Sequence, residues 1–245
     1  MNSITDWSRN YRVEVGGDEV GSHAGNVITR MLADRTGLTE QLSAAISRPE
    51  VTHDRGALLR DVAVSIADGA TNLSGSRVLR DQQRLFGEVA SLPTMWRGLN
   101  EIDAAALEAI TVARNKTRGR VWELGAARHA KIPPVRTCYG DLGEVVCIRI
   151  DASLIGSHSD KQRAAGNFKG GFGFHPLLAW CDNSGELLAF ITRPGNAGSN
   201  TAADHIEIID AAIAAIPAKW RRNLLITIDG AGSSHAVVEH LRALN

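Results

Sequence analysis

The pattern of apolar and polar residues divides the chain into a helical part and a part that mixes strands with helices. Over the first 135 residues, apolar side chains recur at the three- and four-residue spacing that places them on one face of a helix. We therefore predict a mainly helical region over residues 1–135, with a short strand or arm near residues 11–15 at its start. Helices are predicted at 24–32, 38–46 and 58–66, in shorter pieces at 78–89, and from the cap Asp103 to Pro133-Pro134.

The pattern changes after Pro133-Pro134. Short runs rich in Val, Ile and Leu follow, and such runs are typical of buried strands. The predicted order over residues 136–245 is three strands, a helix, a fourth strand and a last helix. The strands are predicted at 145–151, 172–180, 186–193 and 224–229, and the helices at 201–216, opened by a capping box over Thr201–Asp204, and at 237–244.

The second and third strands are predicted to form an antiparallel hairpin, because the turn sequence DNSG at 182–185 separates them. The glycine-rich stretch 166–173 lacks the GxxxxGK[ST] spacing of a phosphate-binding loop. It is interpreted as a flexible turn that leads into the second strand. Pro176 within that strand predicts a bulge or an unpaired edge.

Two of the predicted strands end in an acid, Asp151 after VVCIRI and Asp229 after LLITI. A single Asp at the end of a strand most often starts a turn. The repeated pattern favours another interpretation, because a crossover helix before the fourth strand makes the first and fourth strands parallel neighbours. This order matches a ribonuclease H-like α/β fold with a mixed sheet, in which Asp151 and Asp229 lie side by side.

Adjacent carboxylates at the rim of a sheet are suited to hard divalent cations. Mg²⁺ takes oxygen ligands, commonly one or two carboxylates together with phosphate oxygens. Two such ions about 4 Å apart activate an attacking oxygen and stabilise the leaving oxygen in phosphoryl transfer. Asp151 and Asp229 are therefore predicted to be catalytic residues and metal ligands.

Composition narrows the class of protein without naming a partner. The 245 residues include 27 Lys and Arg and 27 Asp and Glu, so the net charge gives no sign of an acidic partner. The three cysteines show no CxxC spacing, which argues against a disulfide framework or a zinc site. The sequence shows neither a signal peptide nor an apolar run of membrane-spanning length, so a cytoplasmic protein is expected.

Several segments resemble the DDE transposases of bacterial insertion sequences, specifically the DDE group 1 transposase domain. In the strand region these are IRIDASL around Asp151, KGGFGFHPLLAW (169–180), ITRPGNAGSNTAADH (191–205) and ITIDGAGSSH around Asp229. Weaker similarity extends through HAGNVITRMLADRTGL, VAVSIADGATNLSGSRVLRDQ and SLPTMWRGL in the helical part. The resemblance therefore covers most of the chain.

The resemblance implies a ribonuclease H-like core with three catalytic acids, Asp, Asp and Glu, which bind two Mg²⁺ or Mn²⁺ ions. It assigns the first two acids to Asp151 and Asp229. The third acid is expected on a helix further downstream, and Glu239 does not stand at that place. The chain is therefore expected to be a C-terminally truncated transposase that is inactive on its own, with residues 136–245 as the N-terminal part of the catalytic domain.

The implied partner is double-stranded DNA, as the terminal inverted repeats of the transposon and as target DNA. Homo-oligomerisation is left open, no membrane partner is expected, and the implied location is the cytoplasm, in association with the nucleoid. The helical region 1–135 is a candidate for DNA binding or dimerisation. A small amphipathic scaffold would have the same pattern, so the pattern alone does not separate these roles.

A basic segment at the end of the helical region is a candidate for DNA contact. Seven basic residues and one acid lie between Val112 and Thr137. A solvated helix face explains such a run when no partner is known, but a transposase needs phosphate contacts from Lys and Arg. Five residues are predicted to bind DNA, namely Arg114, Lys116, Arg118, Arg120 and, beside the glycine turn, Lys169.

Other polar and aromatic residues have plainer interpretations. His175 is predicted to be a strand residue whose ring is satisfied by backbone, and Arg193 to bind phosphate or to pair with an acid. Trp96 and Trp122 are predicted to lie in the core and not to act as platforms for bases.

Two rival hypotheses belong to other classes. One is a non-catalytic DNA-binding protein, such as an inhibitor that occupies transposon ends. The other is a remnant without function. Binding to terminal inverted repeats without metal-dependent cleavage would indicate the first rival, and failure to fold or to bind specific DNA would indicate the second.

Overall fold

The computed structural model describes residues 23–129, 131–138, 140–198, 201–230 and 232–244. The strand or arm predicted near residues 11–15 lies outside these ranges. The chain divides into two compact units, 1–121 and 122–245. Within the described ranges, no helix combines the length and the apolar character that crossing a membrane requires.

The first unit is built from helices, as the apolar spacing predicts. Asp54 and Asp103 each accept a hydrogen bond from the backbone N–H three residues further on, and each thereby caps the helix that follows. The predicted start of the long helix at Asp103 is therefore confirmed. The helices are α1 (Val27–Arg35), α2 (Leu38–Ala45), α3 (Arg55–Ala67), α4 (Arg77–Asp81), α5 (Gln83–Phe86), α6 (Leu92–Asn100) and α7 (Ala104–His129), and α7 continues into the second unit.

Helix α6 is absent from the sequence prediction. Ser91 is its N-cap and accepts a hydrogen bond from Thr94 N, and Pro93 stands in its first turn, where proline is favoured. Met95 is fully buried, whereas Trp96 is 62% exposed. The prediction that Trp96 lies in the core is therefore wrong, because successive residues of a helix point about 100° apart and the core side is taken by Met95.

Two Arg–Asp pairs are buried in the first unit. Asp61 Oδ1 accepts hydrogen bonds from Arg30 Nη1 at 2.8 Å and from Arg60 Nη2 at 2.9 Å. Asp34 lies 3.4 Å from Arg60 Nη1 and 3.6 Å from Arg30 Nε, and it also accepts a hydrogen bond from Thr39. Burial, followed by the charge of Arg60, lowers the pKa of Arg30 to about 10. These four charged residues form the quartet, a neutral group with side chains at most 5% exposed.

Helices α2 and α3 are in backbone contact at Gly56. A Cβ atom at this position would lie 2.1 Å from Ser43 N and 2.5 Å from the carbonyl carbon of Leu42. These atoms belong to the main chain of α2 and cannot turn aside as a flexible side chain does. Glycine at position 56 therefore sets the closeness of the two helices.

The second unit contains a four-stranded mixed sheet. Its strands are β3 (Val146–Ala152), β7 (Leu177–Cys181), β8 (Glu186–Ile191) and β9 (Leu224–Ile228), in the spatial order β8–β7–β3–β9. The helices that follow β8 are α8 (Ala202–Ala215) and α9 (His235–Ala243). A short hairpin of β1 (Arg136–Thr137) and β2 (Gly140–Asp141) precedes the sheet. The predicted order of strands and helices over this part of the chain is confirmed in its main elements.

Strand β3 lies at the centre of the pairing. It runs parallel to β9, with Val146 opposite Leu224 and Ile150 opposite Ile228. It runs antiparallel to β7, and β7 and β8 form the predicted antiparallel hairpin. The prediction that the first and fourth long strands are parallel neighbours is therefore confirmed.

One face of this sheet forms the core of the second unit. Ile148 and Ile150 of β3 are buried in the same cluster as Ile208 and Ile209 of α8. Trp122 belongs to this cluster and donates a hydrogen bond from Nε1 to Glu186, so its predicted place in the core is confirmed. The opposite face of β3 carries the odd-numbered residues of the strand, because successive side chains alternate between faces.

Between β3 and β7 the chain leaves the sheet in an excursion that we call the finger, residues 153–176. Its strands β4 (Ile155–Gly156), β5 (Ala165–Gly166) and β6 (Phe172–Phe174) form a small antiparallel sheet in the order β4–β6–β5. The hydrogen bond from Ser153 N to Pro176 O closes the base of the finger. The strand predicted over 172–180 is thus interrupted at Pro176, as the proline indicates.

The glycine-rich stretch 166–173 forms the turn between β5 and β6. Asn167 Oδ1 accepts hydrogen bonds from Lys169 N and Gly171 N, which tie the turn between β5 and β6. A Cβ atom at Gly195 would lie 2.2 Å from Ala165 O and 2.6 Å from Gly173 O. The predicted turn that leads into the strand at Phe172 is therefore confirmed, and the RPGN segment packs against the backbones of the two strands that flank it.

Candidate active site

Asp151 and Asp229 lie side by side where β3 and β9 reach one edge of the sheet. The last registered pair of the two strands is Ile150 with Ile228, and each acid is the next residue. Neighbouring strands are about 4.8 Å apart, and residues at the same register position share a face. Both acids are exposed, and Asp151 lies on the face of β3 opposite to the buried Ile150.

Each carboxylate is held on one oxygen by a nearby backbone N–H. Asp151 Oδ1 accepts a hydrogen bond from Ala152 N at 2.8 Å, and Asp229 Oδ1 accepts one from Gly232 N at 3.2 Å. Among the described residues, no Lys, Arg or His forms an ion pair with either acid. Two neighbouring carboxylates without a protein cation fit a divalent metal, which takes oxygen ligands and offsets their mutual repulsion.

No third acid joins this pair within the ranges that the structure describes, since no group of three or more His, Cys, Asp or Glu side chains there could hold a metal ion. Glu239 lies on α9 and forms an ion pair with Arg242. Its placement gives no reason to add it to the pair.

A separate ion pair lies on the face of β3 that carries Asp151. Arg149 donates to Asp182 Oδ2 from Nη2 at 2.7 Å and from Nε at 3.2 Å, and this bonding raises the pKa of Arg149. Burial, aided by Asp182, raises the pKa of the Cys147 thiol to about 11. The thiol form of Cys147 therefore predominates at neutral pH.

The loop that carries Asp229 packs against α8 at Gly232, a contact that sequence reasoning missed. A Cβ atom there would lie 2.2 Å from Ile228 Cγ2 and 2.6 Å from His205 Nε2. His205 is buried, and its Nδ1 lies 2.9 Å from Thr201 O. A carbonyl oxygen accepts only, so Nδ1 carries the proton of this bond. The only sequence signal was the glycine in DGAG, because a buried His on a helix has no signature of its own.

A row of side chains crosses the sheet at the level of the acids. Asp151 lies opposite Leu178 of β7, and Leu178 lies opposite Phe190 of β8. Side chains directly opposite each other in antiparallel strands share a face. The row, which consists of Asp151, Leu178 and Phe190, therefore leads from Asp151 to an aromatic ring that is 54% exposed.

A cavity of about 560 Å³ lies at the Phe190 end of the row. Its apolar wall includes Phe174 of the finger, and its polar lining includes Arg163 and Arg193. Sequence reasoning did not predict this cavity, because its walls come from β4, β6, β7, β8 and the loops around them. Periodicity within one segment carries no information about such a meeting of distant segments.

Arg193 is 3% exposed, and its guanidinium is bonded on two of its nitrogens. Nε donates to His175 O, and Nη1 donates to Gly198 O and to Asp204 Oδ2 at 3.0 Å. The pairing with an acid, one of the two roles predicted for Arg193, is therefore present. The predicted capping box is wrong, because Thr201 makes no side-chain capping bond and Asp204 turns to Arg193 instead.

His175 is buried in the strand break before Pro176, and its Nδ1 lies 3.1 Å from Ala197 O. The prediction that backbone satisfies this ring is therefore confirmed. His175 also lies close to the finger turn, because its ring centroid is 5.8 Å from that of Phe168.

The residues predicted to contact DNA differ in exposure. Lys116, Arg120 and Lys169 are exposed, whereas Arg114 is half-buried. Arg118 is 6% exposed and donates to Asn115 on its own helix, so it does not present its guanidinium to a phosphate. Residues two apart on a helix point about 200° apart. Four basic residues at a spacing of two therefore cannot all lie on one face of α7. Lys116 and Arg120 lie on the exposed side, whereas Arg114 and Arg118 point the other way.

Comparison with protein families gives one match. The model described as transposase DDE domain group 1 matches residues 5–245, a range that includes both acids and both units. Comparisons with curated proteins and with solved structures give no match.

Proposed function

The chain belongs to the transposase DDE domain group 1 family, and we propose that it acts in DNA transposition by metal-dependent cleavage and joining of DNA strands. The observation that carries this proposal is the parallel pairing of β3 with β9, which sets Asp151 and Asp229 side by side. The sheet order β8–β7–β3–β9, with a helix crossover before β9, supports assigning the second unit to the ribonuclease H-like class.

Asp151 and Asp229 would hold Mg²⁺ or Mn²⁺ through their carboxylate oxygens. Such ions, when bound, activate an attacking oxygen and stabilise the leaving oxygen of a phosphodiester. The chain's own part is orientation. The bonds from Ala152 N and Gly232 N fix one oxygen of each acid, and the other oxygen has no hydrogen-bond partner among the described residues. In the proposed reaction a third carboxylate, from outside the described residues, completes the site.

The proposed substrates are the terminal inverted repeats of the transposon and target DNA. Lys116, Arg120 and Lys169 are retained as phosphate contacts because they are exposed. Arg118 is not retained because it is buried. The helical region 1–135 is proposed to contribute DNA contacts, and the cytoplasm with its nucleoid is the proposed place of action.

Loss of Mn²⁺ binding tests the acid pair. Asp151→Asn and Asp229→Asn are each expected to lower the affinity for Mn²⁺. Loss of a residue that only supports a metal ligand lowers the affinity by about 10–100-fold, and loss of a ligand itself is expected to lower it further. Each change replaces a charged oxygen ligand by a neutral amide, and the double variant is expected to show no specific binding. Isothermal titration calorimetry measures the affinity, and nicking of supercoiled plasmid in Mn²⁺ measures the activity.

Asp160→Asn is the matched control, since Asp160 is an exposed acid of the finger and not part of the pair. It is expected to bind Mn²⁺ as the unsubstituted protein does. Unchanged Mn²⁺ affinity in the double variant would exclude the acid pair as the metal site. An unsubstituted chain that binds DNA but neither binds Mn²⁺ nor nicks plasmid would support the alternative of a non-catalytic DNA-binding protein.

The Gly232 contact predicts a second effect on the same site. Gly232→Ala is expected to lower Mn²⁺ affinity by about 10–100-fold, because its Cβ would meet Ile228 and His205 and displace the loop that orients Asp229. Gly230→Ala, in the same loop, meets nothing within 4 Å and is expected to leave the affinity unchanged. Equal affinities for the two variants would show that loop position does not control the site.

A further inference from the structure

The cavity at the end of the row has the size and the lining of a ligand site. Its volume of about 560 Å³ lies within the roughly 300–1,000 Å³ that is usual for such sites. Its apolar wall is formed by Ile155, Phe174, Pro176, Leu178 and Phe190. Phe190 is 54% exposed, so the wall is open to a planar apolar group from solvent.

The polar side of the cavity includes two arginines, of which Arg193 is already ion-paired with Asp204. Arg163 and Arg193 both line it, and Arg163 is exposed. Arg193 is 3% exposed, and its Nη2 is buried without a hydrogen-bond partner among the described residues. Because Nη2 is itself inaccessible to solvent, the exposed guanidinium of Arg163 is the donor that an anionic ligand in the cavity would meet.

The cavity stands close to the acids. Leu178, in its wall, is the register partner of Asp151, which places the near wall one strand spacing, about 5 Å, from that acid. Phe190 is one strand further, at about 10 Å. A DNA strand whose phosphate lies at the acid pair would therefore bring a neighbouring nucleotide to the cavity.

We propose that the cavity receives one unstacked nucleotide of the DNA strand bound at the acid pair, a proposal that rests on the proposed function. The base lies against Phe190 and Phe174, and its phosphate accepts a hydrogen bond from the exposed Arg163. Aromatic side chains bind bases through their π-faces, and only a base that has left the stack can lay its face against Phe190. The ligand class is therefore a nucleotide of unpaired or locally opened DNA.

The test compares two fluorescent probes by anisotropy without divalent metal, a short oligodeoxythymidylate and an abasic oligonucleotide of equal length. The unsubstituted protein is expected to bind the base-bearing probe about 5- to 150-fold more tightly, the range for one aromatic stacking contact. Phe190→Ala is expected to remove this difference and to leave the abasic affinity unchanged. Arg163→Ala is expected to weaken both probes equally, because it removes a phosphate contact.

Phe168→Ala is the matched control, since Phe168 is 71% exposed on the finger turn and does not line the cavity. It is expected to keep the preference for the base-bearing probe. Loss of the preference in Phe168→Ala but not in Phe190→Ala would overturn the proposal in favour of the finger turn. An unsubstituted protein without the preference would also overturn it, as would free dTMP that displaces the probe as efficiently as unlabelled oligonucleotide.

Asp151→Asn separates this proposal from the proposed function. The variant is expected to keep the preference for the base-bearing probe, because Asp151 does not line the cavity. If the Mn²⁺ experiments fail while the Phe190-dependent preference remains, the nucleotide site stands without the metal site. If Mn²⁺ binds at the acids and no preference exists, the proposed function stands and the nucleotide site is excluded.

Discussion

Replacement of Asp61 by alanine is expected to lower the free energy of unfolding of the first unit by about 3–5 kcal/mol. Asp61 Oδ1 accepts hydrogen bonds from both Arg30 and Arg60, and all three side chains are nearly inaccessible to solvent. The hydrogen bonds and ion pairs within the quartet offset the cost of removing these charges from water. Without Asp61 the two guanidinium groups share Asp34 alone, which leaves an uncompensated buried positive charge.

Urea unfolding followed by circular dichroism measures this loss, and hydrogen exchange of the α3 amides assigns it to the first unit. Asp81→Ala, at an exposed position on α4, is the control and is expected to change stability by less than about 0.5 kcal/mol. Arg60→Ala combined with Asp61→Ala is expected to cost less than the sum of the single changes. Additive costs would show that the quartet does not act as a unit.

The same substitution, glycine to alanine, is expected to have opposite effects at two helical positions. Gly56→Ala is expected to destabilise the protein, because its Cβ would overlap main-chain atoms of Ser43 and Leu42. Overpacking typically costs about 1–3 kcal/mol, and we expect a loss of at least this size. Gly125→Ala in α7 meets nothing within 4 Å and is expected to stabilise by about 0.5–1 kcal/mol, since glycine is costly within a helix.

Urea midpoints of the two variants give the sign directly. Because Gly125→Ala differs from Gly56→Ala only in its surroundings, it serves as the control for helix propensity. A destabilised Gly125→Ala would indicate a role for that glycine beyond the contacts described. A neutral Gly56→Ala would show that α2 moves away from α3 at little cost.

The acid pair was predictable because two independent signals met at one place. The runs VVCIRI and LLITI each indicate a buried strand, and the helix between the hairpin and β9 requires a parallel crossover. Together they bring Asp151 next to Asp229 without knowledge of any side-chain contact, and the register bears out the pairing of the strands.

Features that depend on the meeting of distant segments were not predictable in this way. The walls of the cavity come from four places in the chain, and Arg193 reaches Asp204 only because the turn after β8 folds back onto α8. Trp96 shows a related limit, since an aromatic residue beside a buried Met has no pattern that marks it as exposed. Strands β4 and β5 of the finger were missed because two residues each are too few to show an alternation.

The closed base of the finger has a consequence for how such a chain can evolve. Ala152 and Leu177 form a registered pair, and Ser153 is bonded to Pro176, so the chain returns to the sheet where it left it. Insertions and deletions within the excursion therefore leave the acids in register. A lineage can exchange this segment and acquire new substrate contacts while its chemistry is inherited unchanged. Gly195 limits such changes, because it packs against the backbones of β5 and β6 and leaves no space for a larger residue there.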